Sequence, residues 1–294
     1  MSLRPLRLNL KYFMPKANAV RKSSMSNSKS TYEKLKFDVY VYNGLGANEH
    51  GCNQLLQALH TCLDSEKHDV IQFISPEEII NGSKLKGAAL IAFGSGYTTG
   101  FASALGEIGL RNLRDYVLSG GSYLGLGAGG YFGCDFIEFD KEGPLEKLSE
   151  RELRFFPGIG RGPVYPGFQY GTNKGLCATF VTFHTDTFSR SFHCMIDGGG
   201  AFYPSDPPKP GSNVKTVLNV AVFAAVPETP SAIVYTMVGA GRTVLSGVHL
   251  EYDVSSLIKS DPSLEHLQET FNASRQNQIN AFKSLVQLLT LNVA

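Results

Sequence analysis

Long apolar runs, paired cysteines and an excess of charge of either sign are all missing from this sequence. No apolar stretch approaches the ~18 residues that would suggest a membrane span, so no membrane role is expected. The formal net charge is only +1, and beyond the N-terminus basic and acidic residues are mixed, which gives no reason to expect nucleic acid as a partner. Cys52, Cys62, Cys134, Cys177 and Cys194 are scattered, odd in number and free of Cys-x-x-Cys spacing. They read as reduced intracellular thiols and support neither a zinc site nor a disulfide framework. Internal repeats are absent too. Acidic residues are lacking before Glu33, while Arg4, Arg7, Lys11, Lys16, Arg21, Lys22, Lys29 and several serines precede it. Residues 1–34 are therefore expected to be a mitochondrial transit segment or a disordered basic tail. Pro5 and Pro15 interrupt any long amphipathic helix there, and a start at Met25 would remove most of the basic stretch and leave the protein cytoplasmic.

What is present is an alternation of strand and helix patterns. FDVYVYNGLG reads as a strand that breaks at Asn43-Gly44. Leu55, Leu56, Leu59, Cys62 and Leu63 recur at helical spacing, DVIQFIS and AALIAF are strands, and residues 101–118 form a helix with Leu105, Ile108, Leu113, Tyr116 and Val117 inward. A further strand over 122–126 completes the pattern. Such an order, with short connections, implies an α/β domain over 35–294 built on a doubly wound, mainly parallel sheet flanked by helices, with ligands at the carboxyl ends of the strands. Residues 150–200 are rich in Pro, Gly and aromatics and are expected to add irregular and β structure. AIVYTMVGAGRTVLSGVHLEYD reads as strand, turn and strand, the last strand ending in His249 and Glu251. From 263 onward one or two amphipathic helices close the chain.

The chemistry centres on GGSYLGLGAGGYFG, residues 120–133. A strand running into so many glycines makes a tight turn. In α/β hydrolytic folds a strand-to-helix elbow of this kind lifts a nucleophile above the sheet near backbone amides that hold an oxyanion. The apex here is Gly127, which has no side chain to lift. Gly125, Gly127 and Gly130 also satisfy G-x-G-x-x-G, but the motif follows several strands and leads into a short aromatic segment, so no dinucleotide, and no other cofactor, is expected. A turn that merely needs glycine explains the stretch equally well from local sequence alone. His249 and Glu251, two residues apart, would share one face of a strand. A carboxylate beside an imidazole makes a general base, while a solvated pair at a strand end has the same spacing.

Five stretches carry a family resemblance: VYNGLG near residue 41, GLGAGGYFG at 125–133, LRFFPGIGRGPVYPGFQY at 153–170, DGGGAF at 197–202 and VLSGVHLEY at 244–252. The chain resembles the amino-terminal region of fungal biotin-protein ligases, which is similar in turn to class I glutamine amidotransferases. That resemblance implies a Cys-His-Glu triad whose Cys falls on Gly127 and whose His and Glu fall on His249 and Glu251. It also implies that the loop Gly94-Ser95-Gly96-Tyr97-Thr98-Thr99-Gly100, which departs from the family's Pro-Gly-Gly stretch, would supply an oxyanion amide. Without the thiol no thioester can form, so the expected protein is a catalytically degenerate amidotransferase-like domain that binds a small anionic or amide ligand or a protein partner. Its expected pocket comprises Gly94, Ser95, Gly96, Gly129, Gly130 and Tyr131, with no metal. The alternative is an active amidohydrolase using Ser95, Thr98 or Thr99, or one whose natural residue at 127 is Cys. Cys134 lies seven residues past the apex, about 10 Å along a helix, and is too far to substitute. The resemblance places biotin adenylation in a ligase domain beyond this chain, so that reaction is not expected.

Overall fold

A computed structural model of the chain describes residues 38–63, 70–184 and 189–290. The expectations for residues 1–34, Met25 included, lie outside the described residues. The N-terminal half runs β1 (Asp38–Tyr42), α1 (Glu49–Cys62), β2 (Val70–Ile74), α2 (Pro76–Asn81), β3 (Ala88–Phe93), α3 (Thr98–Leu118), β4 (Ser122–Leu126) and α4 (Ala128–Phe132). There follow β5 (Cys134–Phe139), β6 (Lys147–Glu150), β7 (Phe156–Gly162), β8 (Cys177–His184), β9 (Ser189–Ile196), β10 (Ala201–Pro204), β11 (Val214–Phe223), β12 (Ser231–Val238) and β13 (Gly241–Ser246). The chain continues through α5 (Val254–Ser260), a 3₁₀ turn and α6 (Gln268–Thr290).

All thirteen strands join one sheet, whose main path is β2-β1-β3-β4-β13-β12-β10-β7-β5-β6, with β11, β8 and β9 branching from β12. The first five strands on that path are mutually parallel. From β12 on, most pairings are antiparallel, β5 with β7 being parallel. The period-2 alternation of β1 sorts its side chains to two cores. Val39 and Val41 pack with Leu55 and Leu59 of α1 and Phe282 and Leu285 of α6. Tyr40 and Tyr42 pack on the other face with Phe93 and with Phe101, Leu105 and Leu113 of α3. Tyr42 stacks on Phe93 at 4.5 Å, and Phe101 meets both edge-on. Each fully buried aromatic contributes roughly 1.5–3 kcal/mol of transfer free energy.

Two local readings are corrected. Ile108 is 56% exposed, because Gly106 (φ 56°, ψ −171°) breaks the helical phase inside α3. α2 was not anticipated: it is six residues long, too short for periodicity to register, and is announced only by Pro76 in its first turn and the Ser75/Glu78 capping box. Among the described residues, no helix is long and apolar enough to cross a membrane.

Candidate functional site

Three adjacent parallel strands end level with one another, and this brings the site together. Phe93 of β3 pairs with Gly125 of β4, and Ser246 of β13 pairs with Leu126 of β4. Residues 94–97, Gly127 and 247–252 therefore leave the same sheet edge side by side. Of these, Ser95, Gly96, Tyr97, Gly127, His249 and Tyr252 line a cavity of about 880 Å³ whose outer rim includes the exposed rings of Tyr97 and Tyr170.

Gly127 caps α4 with φ 56° and ψ −113°, a conformation that residues with a side chain rarely adopt. The other elbow glycines serve close backbone approach. A β-carbon would lie 2.3 Å from the Gly129 carbonyl oxygen at Gly125, 2.1 Å from that of Phe93 at Gly129, and 2.6 Å from that of Ser246 at Gly130. α4 is thus pressed down between the ends of β3 and β13. A β-carbon at Gly127, by contrast, would point at His249, 3.0 Å from Cε1 and 3.1 Å from Nε2. The apex faces the imidazole so closely that a side chain there would require the ring to give by a few tenths of an ångström.

β13 stops at Ser246, so His249 and Glu251 are not on a strand as expected; they lie in the loop beyond it. The chain turns out of the sheet at 247–248, where Ser246 Oγ donates to the Val248 carbonyl and accepts from the Val248 amide. The His249 amide then donates to the Met195 carbonyl at the end of β9. The pair nevertheless meets: His249 Nδ1 lies 2.7 Å from Glu251 Oε1, with both side chains almost wholly buried. Glu251 accepts from Nδ1–H, which leaves Nε2 as the free nitrogen of the neutral ring, facing Gly127. Burial alone pulls the His249 pKa down, but the charge and hydrogen bond of Glu251, with Asp197 behind them, outweigh it and hold it above the ordinary value. Tyr252 packs edge-on against the imidazole at 5.2 Å.

The backbone donors differ from expectation. Gly127 donates to the Ser246 carbonyl, Gly129 to the Gly94 carbonyl and Gly130 to the Gly127 carbonyl, so none of these amides serves the cavity. Gly94, Gly129 and Gly130 do not line it, whereas Ser95, Gly96, Tyr131 and Ala128 do. Among the described residues no acceptor engages the amides of Ser95, Gly96 and Ala128. Residues 95–97 bridge the 46–48 loop through bonds donated by Asn48 and Tyr97, which turns the Gly96 N–H away from that loop.

Ser95 and Thr99 line the cavity, Ser95 lying beside Tyr252, and the Thr98 hydroxyl accepts from Arg151 Nη2 at 3.0 Å; the His249 imidazole bonds Glu251 and none of these hydroxyls. Cys134 is fully buried outside the cavity, and burial pushes its thiol pKa far up. Among the described residues no group of three or more His, Cys, Asp or Glu is arranged to hold a metal ion.

One site residue escaped the sequence reading. Asp197 follows β9, lines the cavity, and has Oδ1 buried with no hydrogen-bond partner among the described residues. Burial pushes its pKa up to about 6, against the pull of His249. The signal available was an acidic residue directly before the glycine run 198–200.

The fold and this site define a class: α/β domains with a glycine elbow facing a buried His-Glu pair. Residues 37–294 match the family described as Biotin-protein ligase, N terminal, and the chain belongs to that family. It is 29% identical over 271 residues to the biotin–protein ligase of Schizosaccharomyces pombe, covering 87% of this chain and 38% of that protein. It is also 28% identical over 205 residues to an uncharacterized protein of Chlamydia muridarum, covering 69% of this chain and 76% of that one. Among solved structures it is similar to a glutamine amidotransferase at 15% identity, covering 71% of this chain and 90% of that one with a TM-score of 0.45. A second, from Thermotoga maritima, is 12% identical and covers 86% and 98%, also with a TM-score of 0.45.

Proposed function

We propose that this domain binds a small carbonyl- or carboxylate-bearing ligand without covalent chemistry, on the frame of an amidotransferase site that has lost its nucleophile. The observation that carries the reading is the pairing of Gly127 with His249: the imidazole nitrogen stands 3.1 Å from a β-carbon position that bears no side chain. Removal of a catalytic nucleophile lowers kcat by as much as about 10⁶, and His249, bonded to Glu251, holds no hydroxyl as a replacement. The unengaged amides of Ser95, Gly96 and Ala128 are the donor type that holds a carboxylate or carbonyl oxygen. His249, oriented by Glu251, then serves as a polar wall that fixes the ligand.

Calorimetric titration with small carboxylates and primary amides tests the reading, with Gly127→Leu as control and with ammonia release from glutamine measured in parallel. Binding that the leucine abolishes, with no ammonia released, is the expected result. Ammonia release lost in His249→Ala would instead make the site an active amidohydrolase. Absence of binding, or binding indifferent to the leucine, would place the function on another surface.

A further inference from the structure

The cavity has a second chemical pole. Asp197 is set there by the way two chain segments cross. Residues 198–200 pass so close to Gly247 that a β-carbon at Gly199 would lie 1.8 Å from the Gly247 carbonyl oxygen, and one at Gly247 would lie 1.7 Å from that of Gly200. Tyr131 fixes the same segment from the elbow side, its hydroxyl donating to the Gly198 carbonyl at 3.1 Å. The bond from the His249 amide to Met195 ties the end of β9 to the loop that carries the imidazole. Asp197 is therefore held by the backbone of its surroundings, while its own Oδ1 is enclosed and unpartnered among the described residues. A buried carboxylate oxygen without a donor is unfavourable, and because the residue that carries it lines the cavity, a turn of the carboxylate would let a ligand there supply the donor.

We infer that Asp197 is a specificity residue which selects ligands carrying an N–H donor, as an ammonium or an amide nitrogen, in addition to the oxygen held by the Ser95, Gly96 and Ala128 amides. The inference rests on the binding reading above and narrows its ligand class to amino-carboxylates and their amides. Asp197 lines the same cavity as the three amide-bearing residues, so one small molecule can engage both poles. Neutral or purely anionic ligands would leave the carboxylate oxygen as it is, and an anion would meet its charge. The raised pKa of Asp197 agrees with a carboxyl lacking a nearby donor.

The test uses three matched pairs on the whole chain by calorimetry: acetate with glycine, propionate with β-alanine, and butyrate with 4-aminobutyrate. For at least one pair the amino-bearing member is expected to bind ten-fold or more tightly than its partner, and the chain length at which this occurs reads the separation of the two poles. Asp197→Asn is expected to erase that preference, both by weakening the amino-bearing member and, since the like charge is gone, by raising the affinity for the plain carboxylate. Equal affinities across every pair in the unmodified chain, or a preference that survives Asp197→Asn, would overturn the role of Asp197 and leave the binding reading standing. Failure of all six probes to bind would overturn both. Unchanged circular dichroism and melting of Asp197→Asn separates a lost ligand contact from a damaged fold; if the variant is misfolded, Asp197→Glu takes its place, with the preference expected to persist at another chain length.

Discussion

The two walls of the cavity come from different kinds of sheet and offer opposite chemistry. The wall at the ends of parallel strands β3, β4 and β13 presents donors, because each chain leaves its strand through a tight turn whose amides at Ser95, Gly96 and Ala128 are not used by the sheet. The wall brought in by antiparallel β9 presents an acceptor, Asp197, at the edge of a glycine crossing. Donors made of backbone survive side-chain substitution, whereas the acceptor is one replaceable carboxylate. On the proposed reading, the donor wall sets what the site can hold, and the acceptor wall sets which of those ligands it prefers.

The most damaging way to break this arrangement is at the junction of the walls. Gly199→Ala or Gly247→Ala would drive a methyl group into a carbonyl oxygen held by rigid backbone. Each is expected to cost about 4 kcal/mol or more, seen as loss of cooperative melting or of soluble protein. Gly106→Ala is the contrasting case: its φ is positive, unlike those of Gly199 and Gly247, but nothing lies within 4 Å of the added carbon. Backbone strain of about 1–2 kcal/mol is the expected cost there. Equal effects at Gly106 and Gly199 would mean that the crossing costs no more to disturb than an uncrowded backbone strain, and that the walls are not locked there.

Removing the acceptor's charge is expected to act in the other direction. Asp197 has a folded-state pKa of about 6 against an ordinary 3.8. Below about pH 4 the carboxyl is protonated in both states and has no effect on stability. As pH rises from there through 6 the unfolded chain releases its proton first, so stability falls, by at most about 2–3 kcal/mol above pH 6. Asp197→Asn is thus expected to be more stable than the parent at pH 7.5 and equal to it near pH 3.5, as urea titrations at the two pH values would reveal. His249 runs the opposite way: its raised pKa contributes stability that is present below its unfolded value and lost as pH rises through the folded one. Glu251→Gln should abolish that contribution, and an unchanged pH profile in this variant would count against the pair.

How much of this was legible in the sequence divides along the same line between the walls. The parallel half was readable, since apolar runs such as AALIAF and helix-period leucines in α1 bury whole faces, and period and burial agree. β4 and the elbow were placed correctly from glycine density. The antiparallel half was readable only in part: β12 and the turn into β13 were anticipated, but β5 and β6 follow the elbow with few turn signals, and β7 passes through Pro157 and three glycines, so its strand character comes from its neighbours β5 and β10. The pairing of His249 with Glu251 was anticipated for the wrong local reason, a strand face, when a loop fixed by Met195 brings it about. Which glycine amides remain unengaged depends on partners such as Ser246 and Gly94, far away in sequence, and spacing carries no trace of them.

Placing a thiol at the elbow apex would sharpen the donor wall. Gly127→Cys places Sγ beside His249 Nε2, at the cost of positive φ and a 3.0 Å approach to the ring that the imidazole must relieve. A loss of about 1–2 kcal/mol is expected. The new thiol should be alkylated by iodoacetamide at least ten-fold faster than any of the native cysteines, Cys52, Cys134 and Cys194 being buried, and the advantage should vanish in a His249→Ala background. A thiol no more reactive than Cys62 or Cys177 would show that the elbow no longer aims at its base.

The smallest effect is expected at a pair that looks equivalent on distance alone. Arg161 Nε lies 2.6 Å from Glu138 Oε2 and the guanidinium stacks 4.7 Å over Tyr203, while His249 and Glu251 stand 2.7 Å apart. Arg161 belongs to the long stretch 153–170 that carries much of the family resemblance, so sequence alone would rank it with the site. It sits instead on the outer strands of the antiparallel half, its side chain half exposed and in contact with Glu138 of β5 and Tyr203 of β10. Water competes for an ion pair in that setting, and holding two long side chains still offsets most of the attraction. Arg161→Met is accordingly expected to cost about 0.5–1 kcal/mol through the lost pair and ring contact, less as salt is raised, with no change in ligand affinity. A change in affinity would mean that the outer strands of the antiparallel half reach the cavity, and the division of labour between the two walls would have to be redrawn.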